Sequence, residues 1–287
     1  MKTIRTHIIR GLASLTLLVL SSVRLWASPQ QSELLIVGND TLRIYQILLS
    51  DDMADILNRY IFDSPDPPEG FLVTTGNWRG YRGVWELADD TLYLLGFQSG
   101  SGILGAERVF PDKVKDGKVV ADWYDSTLII PKGEVLRWDG VFRRTYVDEE
   151  HLTFRHGHVA SRKTIHNYID LPNGIDRLTQ DFYIPNIKIA EALFNCIVSV
   201  ETDWIALEDR SDDVLMGEYI VTIGANGKVV SVTDDTGHHS AITRLFKRRL
   251  RGLQFDIIKF NGKPYKERIC VPIDLDEDKN QLVFENH

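Results

Sequence analysis

The stretch Glu218–Leu275, EYIVTIGANGKVVSVTDDTGHHSAITRLFKRRLRGLQFDIIKFNGKPYKERICVPIDL, switches twice between strand and helix periodicity. Glu218 to Ile223 and Val229 to Thr233 are short β-branched runs flanking Ala225-Asn226-Gly227-Lys228, and Asn-Gly is the strongest short hairpin signal. Ser240 then stands where a helix N-cap belongs. Beyond it, Ile242, Leu245, Phe246 and Leu253 recur at helical spacing on one face, with Arg244, Lys247, Arg248 and Arg251 on the other. Phe255 to Phe260, a turn at Asn261-Gly262 and Tyr265 to Ile273 complete the order β-β-α-β-β. A sheet with one helix packed on it is the unit this order predicts.

Working outward, Ile187 to Val200 reads as a further helix entered after Pro185, with Ile189, Ala190, Leu193, Phe194 and Ile197 on a wide apolar face. Leu171-Pro172-Asn173-Gly174 marks a boundary between a β-rich domain over 32–170 and an α+β domain over 178–287. In the first domain, strand signals recur at Leu34–Val37, Thr41–Leu48, Gly83–Leu87, Thr91–Phe97, Val119–Trp123, Thr127–Ile130 and Val141–Tyr146. Asn39-Asp40, Asp89-Asp90 and Asp116-Gly117 punctuate them. One helix interrupts the series after Ser50 or Asp51, with Met53, Ile56, Leu57, Tyr60 and Ile61 forming its stripe. The fold class expected is α+β, with the first domain a sandwich or partly open barrel carrying one helix.

The 287 residues carry a formal charge of −8, which disfavours nucleic acid as a partner because phosphate binding needs a basic face. Lys2, Arg5 and Arg10 precede an apolar run from Gly11 to Val23 of about 13 residues, shorter than the ~20 a bilayer-spanning helix needs. Residues 1–27 therefore read as an export signal cut near Ala27, which places the mature chain in the periplasm without stable membrane insertion. An uncleaved anchor is the alternative, since Arg24 and Leu25 fit the cleavage pattern poorly. Cys196 and Cys270 either form one bridge or stay as two thiols. A helix and a final strand usually pack together, so the two are expected near each other.

From Glu218 to Leu275, and above all in "ANGKVVSV" and "NGKPYKERICVPI", the chain resembles the C-terminal domain of the TonB energy-transducer family, over about a fifth of its length. The resemblance implies a small sheet that takes up an extended peptide at its edge. Departures are clear: no Pro-rich spanning linker and no convincing membrane anchor accompany it. The first domain, with "WRGYRGVWELADDTLYLLGF", is similar to uncharacterised envelope proteins of Bacteroidetes-type bacteria, which carries no activity with it.

Motifs for chemistry fail on context. Gly100-Ser101-Gly102-Ile103-Leu104-Gly105 fits G-x-G-x-x-G, but Pro111 follows soon and no βαβ unit frames it, so a flexible glycine loop is expected. His151, His156, His158 and His166 cluster, with His156 and His158 on one side of a presumed strand; Arg155, Arg162 and Lys163 beside them oppose a cation, and a solvated face is the reading taken. Asp274, Asp276, Asp278, Asn280 and Glu285 match calcium-loop positions except that Lys279 stands where glycine is needed. No metal and no cofactor is expected. The function expected is a periplasmic protein-binding adaptor, capturing an envelope protein or peptide by strand addition, with Arg244, Lys247, Arg248 and Arg251 as the partner face. The alternative is an envelope-polymer hydrolase or glycan-binding protein using a groove at Trp78, Arg79, Tyr81 and Trp123.

Overall fold

A computed structural model of the chain describes residues 28–139, 141–178, 187–211 and 215–285. The export signal expected over residues 1–27 and the helix entry expected at Pro185 lie outside the described residues. In chain order the first part comprises β1 (Glu33–Val37), β2 (Asp40–Ile44), α1 (Asp51–Phe62), β3 (Arg82–Ala88), β4 (Thr91–Ser99), β5 (Gly102–Gly105), the single turn α2 (Ala106–Val109), β6 (Val114–Lys115), β7 (Lys118–Val120), β8 (Thr127–Pro131), β9 (Val135–Trp138), β10 (Arg144–Tyr146), β11 (Asp148–Arg155), β12 (His158–His166) and β13 (Tyr168–Ile169). The second comprises α3 (Ile187–Val198), α4 (Trp204–Ser211), β14 (Gly217–Ile223), β15 (Val229–Asp234), α5 (Ala241–Leu250), β16 (Ile257–Phe260), β17 (Lys263–Pro264), β18 (Glu267–Asp276) and β19 (Gln281–Phe284).

The main sheet runs β2-β1-β3-β4-β12-β11-β8. Its pairs are antiparallel except β1 with β3, because α1 and the loop after it carry the chain across before it returns as β3. Alternation decides what faces inward: on β3, Gly83, Trp85 and Leu87 are buried while their neighbours are half-exposed. Met53, Leu57 and Ile61 of α1 bury against the same cluster. Each such side chain contributes about 1.5–3 kcal/mol through burial. Asp89 and Asp90, both at positive φ, make the tight β3–β4 turn that their sequence predicts.

Among the described residues no sheet closes into a barrel. The main sheet does curl until its end strands approach, and Gln46 spans the gap: its amide donates to the Thr127 carbonyl (3.0 Å) and accepts from the Ile129 amide (2.7 Å). A side chain there stands in for the ladder that would have closed the sheet.

A second sheet, β15-β14-β18-β19, is antiparallel throughout. Its inner face, Tyr219, Val221, Ile223, Ile269, Val271 and Ile273, packs on α3 and α5. All five apolar positions expected on α3 are buried. The turn expected at Asn261-Gly262 joins β16 to the short β17, and the Tyr265 amide still donates to the Ile258 carbonyl (3.0 Å), but the pairing goes no further: β16 also pairs with β13, whereas β18 pairs with β14 and β19. Pro264 offers no amide to lengthen the β16–β17 ladder. Ile258 buries instead with Leu136 and Tyr168 in a small third cluster between the two larger cores.

Around that cluster a polar seam ties the two parts together. The Glu267 carboxylate on β18 is held by Arg137 of β9 and by Arg177, and Arg177 also donates to the Asp256 carbonyl (3.2 Å). The Tyr168 hydroxyl donates to Asp256 (2.5 Å) and lies 2.9 Å from Asp176. Burial, with the hydrogen bonds to both carboxylates, pushes the Tyr168 phenol up, and burial pulls the Arg177 guanidinium down. Pairing with Glu267 opposes the shift at Arg177 without cancelling it.

Candidate functional site: a basic helix face and an arginine-lined cavity

Helix α5 begins at a capping box, in which the Thr243 amide donates to the Ser240 hydroxyl (3.1 Å) and the Ser240 amide to the Thr243 hydroxyl (2.8 Å). Ile242, Thr243, Phe246 and Leu250 then turn toward the sheet. Arg244, Lys247, Arg248 and Arg251 are all exposed on the opposite side, and among the described residues none of them joins an ion pair. Arg249, which the sequence reading left aside, turns the other way: its guanidinium meets the carbonyls at the end of α3, at Ile197 and Val200 (3.4 Å), and lies 4.9 Å from the Trp204 ring centroid. A cation there complements the helix C-terminus. Beside the helix, β15 and β19 are the outer strands of their sheet, and the His239 ring occupies the Val232 carbonyl on β15 (3.0 Å).

Of the four residues of the alternative groove, Arg79 lies over the Tyr81 ring (5.2 Å to the centroid), but the four do not form one exposed surface. Tyr81 is 2% exposed and stacks edge-on to Phe97. Trp123 hydrogen-bonds the Leu48 carbonyl (3.0 Å) and packs on Trp85. Arg79 is committed to Glu33 (2.5 Å), a buried carboxylate that also accepts from the Gly83 amide and the Trp85 indole. Trp78 is 56% exposed, whereas Arg79 and Trp123 are half-buried.

The first part nevertheless holds a cavity of about 560 Å³, elsewhere, lined by Arg43, Arg82 and Arg144 with Tyr45, Trp138 and Tyr146 as its main side chains. β2, β3, β9 and β10 deliver these groups from positions spread over a hundred residues, so no local motif announced them. Arg144 lies over Tyr45 at 3.5 Å and near Trp138 at 5.6 Å, a stacking that orients its plane. Burial lowers the Arg144 pKa, and the like charge of Arg43 lowers it further. Burial pushes the Tyr146 phenol up to about 12.

Other sequence motifs resolve into separate local contacts. His156 is not in an extended strand: it sits at positive φ in the β11–β12 turn, so it does not share a strand face with His158. His158 bonds Thr91 (3.0 Å), His166 bonds Asp148 (2.5 Å) and His151 bonds Glu149 (2.7 Å). The glycine stretch is a hairpin and strand β5 rather than a loop, and the Glu107 carboxylate folds over Gly105, where a phosphate would have to lie. Asp274 to Glu285 form the β18–β19 hairpin, its turn tied by Lys279 to Asp276 (2.7 Å).

The cysteines are not neighbours. Cys196 packs on the helix side and bonds the Arg249 carbonyl (3.4 Å), whereas Cys270, between inward-facing Ile269 and Val271, points from the other face to Glu218 (3.4 Å). Among the described residues no helix is long and apolar enough to cross a membrane. No family model matches the chain, and neither a curated protein nor a solved structure matches it.

Proposed function

We propose that this chain is an exported, periplasmic adaptor that binds an envelope protein or peptide through its C-terminal sheet and helix α5, without chemistry of its own. The observation that carries the reading is the basic face: four cations at helical spacing, exposed and outside any ion pair among the described residues, in a protein of net charge −8. Structural surface arginines are ordinarily interspersed with acids, so a single-sign stripe steers an acidic segment. The outer strands β15 and β19 offer backbone groups to an extended peptide, the mode that the TonB resemblance implies. The seam at Glu267 supports the reading too, because it holds the sheet against the first part and presents it in one orientation.

Affinity capture from envelope extract, comparing the native chain with the doubly reversed Arg244→Glu, Arg248→Glu chain at low salt, tests the proposal. Exposed charges contribute little to folding, so both chains should show the same circular dichroism and melting temperature. Loss of a captured partner on reversal supports the basic face. Equal capture by both removes it as the site and leaves the edge strands.

A further inference from the structure

We propose that Phe62, Leu72, Val73 and Trp78 form a docking surface on which the chain rests against a zwitterionic lipid bilayer, held by apolar burial rather than by charge. The surface lies in the first part, apart from the partner face on α5, and takes from the proposed export only that a membrane is at hand.

The four residues meet where a short hairpin follows α1. Phe62 ends α1, and its ring and the Val73 side chain both close on Gly80, where an added Cβ would lie 2.6 and 3.3 Å from them. Thr74 and Asn77 pair backbone to backbone (3.1 and 3.0 Å), which sets Val73 and Trp78 on adjoining limbs. Phe71 turns inward against Gly102, and Leu72 beside it turns outward. Leu72, Val73 and Trp78 are 68%, 61% and 56% exposed, and Phe62 is exposed with them. Apolar residues scattered singly over a surface are ordinary, whereas four joined at one place mark a surface that something covers.

The path of the chain indicates the occupant. Gln30 and Gln31, at the start of the described residues, are fastened to this hairpin. The Gln30 side chain donates to the Thr75 carbonyl (2.8 Å) and accepts from the Trp78 amide (3.0 Å), and the Gln31 amide donates to the Gly76 carbonyl (2.9 Å). The apolar run Gly11–Val23 ends five residues before Ser28, a span of at most ~18 Å. A segment suited to entering the membrane during export thus leads straight to the patch, which is the part of the fold delivered beside the bilayer. Tryptophan with aliphatic neighbours is also the composition that settles at the boundary between headgroups and acyl chains. Charge selects the lipid. The loop between Phe62 and Phe71 carries the exposed acids Asp63, Asp66 and Glu69 and no base, so it repels an anionic headgroup and tolerates a zwitterionic one.

Flotation of the mature chain beginning at Ser28 with phosphatidylcholine vesicles tests this. That chain keeps every residue of the three buried clusters and lacks the apolar run, which would bind lipid by itself. Binding to phosphatidylcholine is expected, undiminished by molar salt and weaker on phosphatidylglycerol vesicles. Trp78→Ser and Leu72→Ser should each weaken it about tenfold, the scale of one large apolar side chain leaving water. Both residues are exposed, so the melting temperature should stay unchanged. Met216→Ser, at a residue 60% exposed in the second part, should leave binding as it was. No flotation of the folded chain, equal flotation by the Trp78 and Leu72 variants, or binding only to phosphatidylglycerol that salt abolishes would each overturn the proposal. So would a dimer in sedimentation that Trp78→Ser dissociates, since a second copy would then be the occupant.

Discussion

Arg177, whose side chain has no exposure to solvent, donates to the carboxylate of Glu267, ninety residues further along the chain, and Arg137 reaches the same carboxylate from β9. One acid thus serves two guanidiniums. Glu267→Gln would strand both cations, and removing one partner of a buried pair costs about 3 kcal/mol or more. Arg177→Met deletes a cation and leaves Glu267 with Arg137, so it should cost less. Urea unfolding of the two variants gives the order; equal losses, or a loss near zero for Glu267→Gln, would show that water already neutralises the seam.

Gly227 lies at φ 75° in the β14–β15 turn, and a Cβ there would overlap the Phe255 carbonyl oxygen. Gly117 has the same φ with open space around it. Gly117→Ala should therefore lose only the left-handed backbone penalty, about 1–2 kcal/mol. Gly227→Ala should lose more, since a backbone atom cannot step aside. Thermal melts of both variants separate backbone strain from collision.

Burial raises both Tyr124 and Tyr146 to about 12. The fold needs the neutral phenols, while unfolded chains ionise them near pH 10. Their contribution is complete below about pH 10 and is lost as pH climbs toward about 12. Urea midpoints measured from about pH 9 to 11.5 should fall across that window, and Tyr124→Phe should flatten the fall. A midpoint that stays level in the native chain would count against buried phenols as the cause.

Two free thiols per chain are expected on titration in denaturant of protein purified without reductant, because Cys196 sits on α3, which packs on the inner face of the sheet, while Cys270 points from the outer face of β18. Burial raises the Cys196 thiol pKa, so it should react slowly in the folded chain. Added dithiothreitol should leave the melting temperature unchanged. A mass two protons short of the reduced chain would show a bridge and displace one of the two elements.

Local chemistry was readable along the chain wherever one element decides the outcome. The apolar face of α3, the Ser240 cap and the Asp89-Asp90, Asn226-Gly227 and Asn261-Gly262 turns follow from spacing and from residues that tolerate positive φ. Even Cys270 was legible in retrospect, since Ile269 and Val271 on either side claim the inner face. The long β11–β12 hairpin was not. Most of β12 is exposed, so HVASRKTIH shows no alternation, and it is a strand because β11 and β4 pair with its backbone. Helix α4 left no stripe strong enough to read. The pairing of β16 with β13, the three-residue seam at Glu267 and the arginine cavity were decided only by tertiary structure. Backbone ladders are indifferent to side-chain identity, and groups that converge from distant strands acquire their shared environment only when those strands meet.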